Sequence, residues 1–194
     1  MRRKVFDTLI STAGLVVAAV MLVASGLLFW ANDFVDDNVR SQLTEQKIFM
    51  PKAGTEQLND PRVKPYLEKY AGQQVTNGAQ AQAFADHYIK VHLGDSTGGK
   101  TYSELSTLSR QNPTDEKLAG QVQTAFRGET LRGLLLSAYA FWKMGQVALI
   151  AAWVALGTGV LLAAMSILGL FHARRTPSDV EVKVPGWHPE NATT

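Results

Sequence analysis

Residues 8–30 read TLISTAGLVVAAVMLVASGLLFW, and this run contains no charged residue. A bilayer core of about 30 Å is crossed by roughly 20 apolar residues, because each residue of a helix adds about 1.5 Å. A second uncharged run, MGQVALIAAWVALGTGVLLAAMSILGLF at residues 144–171, also reaches that length. The two runs predict an all-α protein in which two transmembrane helices bracket a polar middle segment.

The charges around the two runs predict how the chain crosses the membrane. Basic residues flank the outer ends of the runs: Arg2, Arg3, Lys4, His172, Arg174 and Arg175. Acidic residues follow the inner end of the first run: Asp33, Asp36 and Asp37. Because basic residues beside a membrane segment favour the cytoplasm, both termini are predicted to be cytoplasmic in the plasma membrane. The predicted parts are an N-terminus (1–7), helix 1 (8–30), an extracytoplasmic helical domain (31–143), helix 2 (144–171) and a flexible cytoplasmic tail (172–194).

The first run also resembles a secretory signal peptide. The apolar region of a signal peptide usually spans about 7 to 15 residues, whereas this run has 23. We therefore expect an uncleaved anchor, and cleavage would leave the middle segment on the same side of the membrane.

The middle segment excludes several functional classes. It carries 13 acidic and 13 basic residues, so no basic nucleic-acid face is indicated. The chain has no cysteine, which excludes disulfides, thiolate metal ligands and catalytic thiols. Neither a paired general acid and base nor a GxSxG nucleophile elbow is evident. The sequence predicts no catalytic residue and no cofactor.

Local patterns predict that the middle segment is mostly helical. Residues 33–49 continue the apolar spacing of the first run as a helix. Asn77 is a predicted N-cap for a helix with an apolar stripe between Ala81 and Val91. Thr101 and Glu104 form a predicted capping box, and Asn112 before Pro113 predicts a further helix start.

Residues 94–101, GDSTGGKT, match the phosphate-binding pattern GxxxxGK[ST]. That pattern binds phosphate between a strand and a helix of an α/β sheet, and no such context is evident here. A flexible glycine-rich loop is the favoured interpretation. His87 and His92 are the closest pair of metal-ligand residues. They lie about 140° apart on a helix of about 100° per residue, so no metal site is predicted.

Small residues in the membrane runs predict helix packing. Ala151, Ala155, Gly159 and Ala163 recur every four residues and form a ridge that another helix could approach closely. Small residues also recur at heptad spacing in the first run: Ser11, Ala18 and Ser25. The runs either pack on each other or offer the ridge to another integral membrane protein.

Charged residues at the end of the middle segment are predicted to contact lipid headgroups or a partner. These are Arg127, Glu129 and Arg132. The alternative is that they fix the depth of the second helix. The apolar stretch that follows either lies along the membrane surface or joins the second helix after a bend at Gly133.

Three stretches resemble a known family: FVDDNVRSQLTEQKIFMPK, YAGQQVTNGAQAQAFADHYI and FRGETLRGLLLSAYAFWKMGQ. Together they resemble a family of small actinobacterial membrane proteins of unassigned function. Members often carry the automatic label aromatic ring-opening dioxygenase LigA. That label implies iron held by two His and a carboxylate, which the spacing of His87 and His92 does not favour.

The expected function is non-catalytic. The chain is predicted to be an accessory or stabilising subunit of a larger envelope complex, respiratory or transport, with membrane lipids and another integral membrane protein as partners. The alternative is an extracytoplasmic module that binds lipid or a small apolar ligand in a pocket near residues 126–142. A dioxygenase-related subunit and a nucleotide-binding protein that uses Lys100 are less favoured.

Overall fold

The computed structural model describes residues 3–175 and residue 177. The predicted tail beyond this part, together with Met1 and Arg2, lies outside the described residues. The described helices are α1 Arg3–Glu45, α2 Glu56–Asn59, α3 Lys64–Leu67, α4 Gly78–Phe84, α5 Lys90–Thr97, α6 Tyr102–Gln111 and α7 Glu116–Arg175. The described residues include no β-strand, and this confirms the all-α prediction.

Helices α1 and α7 are each long and apolar enough to cross a membrane. Helix α1 continues past the first apolar run to Glu45, as the spacing of residues 33–49 predicts. Helix α7 runs without interruption through Gly133. The apolar stretch before the second run is therefore part of the same helix as that run.

The chain divides into two compact units. The two-helix unit contains α1 up to Trp30 and α7 from Ala148 onward, and the middle unit contains Ala31–Val147.

Small side chains line the contact within the two-helix unit. On α1 the buried residues are seven apart: Ser11, Ala18 and Ser25. On α7 they follow steps of three, four and seven: Ala152, Ala155, Gly159, Ser166 and Ala173. These are the intervals of a heptad seam, in which one face of each helix keeps facing its neighbour.

Close approaches hold this seam together. The Ser25 hydroxyl donates to the Ala152 carbonyl at 2.9 Å. Elsewhere in the seam, each helix places a serine against a glycine of the other: Ser166 of α7 lies against Gly14 of α1, and Ser11 of α1 lies against Gly169 of α7. A side chain at either glycine would collide with the facing serine hydroxyl. The helices can therefore approach closely because serine, alanine and glycine residues line the seam.

The middle unit has an apolar core built from most of its helices. Its buried members are Val39, Leu43, Met50, Leu58, Val63, Leu67, Val75, Ala81, Phe84, Ala85 and Leu135. Residues 48–51 and 72–75 run antiparallel beside it, joined for example by the Met50 amide and the Gln73 carbonyl at 2.8 Å. Helices α1 and α7 thus contribute to a core that the short helices complete.

Two predicted helix starts are confirmed and one is wrong. Asn77 accepts from the Gln80 amide, and Thr101 and Glu104 form a reciprocal capping box. The predicted start at Asn112 fails, because Asn112 instead ends α6. The carboxylate of Asp115 caps α7 by accepting from the Leu118 amide at 2.9 Å. Asp115 is as good a cap as Asn112, and it lies directly before the first turn of α7.

A π-helical turn, Ala85–Ile89, joins α4 to α5. The sequence predicts an ordinary helix through this segment. A π-turn contains more residues than an α-turn, so it rotates the side chains that follow it relative to a regular helix. Asp86 lies in this turn and pairs with Arg132 of α7, Oδ1 to Nη2 at 2.7 Å.

Candidate functional site

The middle unit contains an open groove of about 400 Å³ between α1 and α7. Sites for small molecules usually measure about 300 to 1,000 Å³ and are mostly apolar. This groove has the size and the character of such a site.

Helix α1 and the turn after it supply the floor and one rim of the groove. The floor residues are four apart and apolar: Val35, Val39 and Leu43. The rim residues are also four apart: Phe34, Asn38, Gln42 and Gln46. Four residues advance a helix by little more than one turn, so each set forms a continuous row. The groove is therefore bordered by a phenyl ring and three neutral amides.

Helix α7 supplies the opposite wall. Its lining residues are Leu134, Ser137, Ala138 and Phe141. The Ser137 hydroxyl donates to the Gly133 carbonyl at 3.0 Å. Phe34, Leu134 and Phe141 are each more than half exposed. None of the groove's lining residues is charged.

The pocket predicted near residues 126–142 includes the α7 wall, but it omits α1. The rows on α1 were visible as steps of four among Val35, Val39 and Leu43. The pattern could not show that this row lies opposite Ala138 of α7, a helix that is far away in the sequence.

The predicted packing ridge is only partly buried. Ala155 and Gly159 lie in the seam against α1, Ala163 is half-buried and Ala151 is exposed. A step of four residues rotates about 40° around a helix, so a ridge with that step drifts away from a heptad seam. The buried part of the ridge contacts this same chain, where Leu22 and the Ala18 carbonyl lie against Gly159.

Two of the three predicted headgroup or partner contacts have partners within the middle unit. The Glu129 carboxylate accepts from the Tyr102 amide at 2.9 Å, at the start of α6. Arg132 pairs with Asp86. Arg127 is exposed, and the structure shows no ion pair between it and any described residue. Glu129 and Arg132 therefore hold α7 to neighbouring helices.

The GDSTGGKT segment does not have the geometry of a phosphate-binding loop. Residues 94–97 form the end of α5, and no strand precedes them among the described residues. Gly98 and Gly99 adopt positive φ angles of 62° and 77°, which end the helix. The Thr101 hydroxyl, which would reach magnesium in such a loop, instead donates to Glu104 at 2.9 Å.

The two histidines of the middle unit do not converge. The His87 ring stacks on Tyr66 with ring centroids 3.5 Å apart. His92 Nδ1 lies 2.9 Å from the Tyr88 carbonyl oxygen. The described residues include no group of three His, Asp or Glu side chains that could hold a metal.

A charged cluster that sequence reasoning missed ties the start of α3 to α5. The Arg62 guanidinium donates to Asp60 at 2.7 Å and to Asp95 at 2.8 Å through Nη2. The hydrogen bond from Arg62 lowers the pKa of Asp60 to about 2 and also lowers the pKa of Asp95. Both carboxylates are therefore ionised at neutral pH, and the cluster is fully paired within the chain.

No family model matches the chain, and neither a curated protein nor a solved structure is significantly similar to it. The resemblance to the actinobacterial membrane-protein family stays a prediction.

Proposed function

We propose that this chain is a two-pass membrane protein whose middle unit lies outside the cytoplasm and binds an apolar ligand in the groove between α1 and α7. The observation that carries the proposal is the uncharged lining of that groove of about 400 Å³. The proposed role involves no catalysis by the chain itself.

The exposure pattern of the two-helix unit supports insertion into a membrane. In the most apolar 18-residue stretches of α1 and α7, only 11% and 17% are buried within the protein. Large side chains face outward, with Val23, Trp153 and Leu168 each more than 60% exposed. Soluble proteins rarely expose large contiguous apolar surfaces, whereas a bilayer covers them. Small residues inside and large ones outside are typical of packed membrane helices.

The proposed topology can be tested with single cysteines, because the chain contains none of its own. Gln111→Cys lies at an exposed position of the middle unit, and Arg174→Cys lies near the end of α7. A membrane-impermeant maleimide added to intact cells should label Gln111→Cys, whereas Arg174→Cys should react only after lysis. The opposite pattern would contradict the orientation.

Filling the groove should remove its ligand. Ala138 lines the groove and is half-buried, so an indole in its place would occupy the space that a ligand needs. Native mass spectrometry of the full chain, released from mild detergent, should show a retained small apolar molecule. We expect Ala138→Trp to weaken the affinity for this molecule by about tenfold or more, which corresponds to about 1.4 kcal/mol of binding free energy, and its occupancy to fall accordingly.

Ala140→Trp is the matched control, because Ala140 is exposed on the same helix and does not line the groove. It should retain the ligand as the wild type does. A wild-type chain without any bound molecule, or equal retention by Ala138→Trp, would refute the proposed binding function.

A second candidate is the accessory subunit of a larger membrane complex. It is favoured by an exposed group on α7, Phe126, Arg127 and Leu131, because aromatic and arginine side chains often dominate protein interfaces. The same native spectra distinguish it, since a subunit would carry a second protein in stoichiometric amount. A chain that carries only a small molecule would speak against this candidate.

A further inference from the structure

We infer that the ligand of the groove is an uncharged membrane lipid with a hydrogen-bonding head, an inference that rests on the proposed binding function. Its head lies at the amides of Gln42 and Gln46, and its hydrocarbon chain extends towards Phe34 and Phe141. Three features of the groove carry this assignment: its charge, its amides and the direction in which its polarity changes.

The charge around the groove disfavours an anionic lipid. No lysine or arginine lines it, although phosphate groups in proteins are usually bound by these residues. Residues 31–47, which cover this part of α1 and the turn after it, contain four acidic residues, Asp33, Asp36, Asp37 and Glu45, and two basic residues, Arg40 and Lys47. This excess of negative charge would repel a phosphate. An unpaired charge in an apolar groove would also lose its hydration.

The amides supply neutral hydrogen bonds where a head group would need them. A side-chain amide both donates and accepts, so it can pair with hydroxyl, ester or ketone groups. The Gln42 amide donates to Asn38 at 2.6 Å, which leaves its second hydrogen for a ligand. The structure shows no hydrogen bond between the Gln46 side chain and any described residue. The rim can therefore bind a polar, uncharged head.

Polarity changes along the groove in the direction that a lipid requires. Phe34 follows Trp30, the last residue of the first apolar run, by four residues in the sequence. Gln42 lies eight residues beyond Phe34 on α1, which is about 12 Å at about 1.5 Å of rise per residue, and Gln46 lies in the turn just after the helix. On α7, Phe141 lies three residues before the second apolar run. Along the chain, the aromatic end of the groove is thus nearest the apolar runs, and the amides of α1 and its following turn are farther from them.

The test compares two lipids that share their acyl chains, diacylglycerol and phosphatidylglycerol. Each is added to the delipidated full-length protein in detergent, and occupancy is measured by native mass spectrometry. We expect diacylglycerol to bind at least about tenfold more tightly. The double variant Gln42→Met and Gln46→Met keeps the side-chain length but removes the amides, and it should abolish that preference. Gln57→Met, at an exposed position of α2, should leave it unchanged.

The outcomes separate this inference from the proposed function. Equal or tighter binding of phosphatidylglycerol that is lost in Ala138→Trp would overturn the inference and leave the apolar binding site standing. A preference that survives loss of both amides would also overturn it. If neither lipid binds while the native spectra still show another apolar molecule that Ala138→Trp loses, the inference alone fails. If the groove instead holds a helix of a second copy, so that the spectra show a dimer that Ala138→Trp dissociates, both proposals fail.

Discussion

Gly159→Leu should greatly destabilise the contact between α1 and α7 in the two-helix unit. A Cβ at this position would lie 3.1 Å from Leu22 Cδ2 and 3.3 Å from the Ala18 carbonyl oxygen. The leucine side chain can rotate, but the carbonyl belongs to the hydrogen-bonded backbone of α1 and cannot yield. Overpacking of this kind typically costs about 1 to 3 kcal/mol, and an isobutyl group should reach the upper end.

The measurement is the free energy of unfolding of the detergent-solubilised protein, followed by circular dichroism during titration with a denaturing detergent. Gly157→Leu is the matched control, because the same substitution two residues away meets no atom within 4 Å of the added Cβ. It should change the free energy of unfolding by only a few tenths of a kcal/mol. Equal losses in the two variants would show that Gly159 is not part of a tight seam.

Gly78→Leu should have a comparably large effect on the middle unit. Gly78 is the first residue of α4 and is buried against the Trp142 side chain. A Cβ there would lie 2.6 Å from Trp142 Cγ and 2.8 Å from Cδ2. The Trp142 ring is half-buried and packs against the core of the middle unit, so it can move aside only by losing those contacts. We expect a loss of about 3 kcal/mol, and about 1 kcal/mol or more for the milder Gly78→Ala.

Thermal unfolding monitored by circular dichroism measures this effect in the full chain. The matched control is Gly94→Ala, a helical glycine of α5 whose added Cβ meets nothing within 4 Å. Because alanine restricts the unfolded chain more than glycine does, this control should be neutral or stabilising by about 0.4 to 1 kcal/mol. Destabilisation by Gly94→Ala as large as that by Gly78→Ala would contradict the argument from close contact.

The confirmed predictions depend on residues that are near each other in the chain. The capping box joins Thr101 to Glu104, and the Asn77 cap accepts from an amide three residues away. These hydrogen bonds form within one turn, so the residue types at that spacing specify them. The wrong start at Asn112 is also local. Two capping residues compete there, and the composition of one turn does not decide between them.

The roles of the predicted site residues depended on distant partners. Glu129 caps a helix that begins 27 residues earlier. Arg132 pairs with an aspartate 46 residues earlier, in a π-turn. On a sequence they resemble exposed juxtamembrane charges, because charged residues on a helix surface have the same pattern whether or not another element covers them.

The sequence by itself determined that the protein is all-α, with two helices long and apolar enough to cross a membrane, because helix length and hydrophobicity are properties of contiguous residues. It also indicated small residues at heptad spacing on α1. Tertiary structure alone decided which small residues of α7 face that helix and which pair of helices leaves a groove open. The two walls of the groove are about 100 residues apart in the chain, and only folding brings Val39 and Ala138 to one surface.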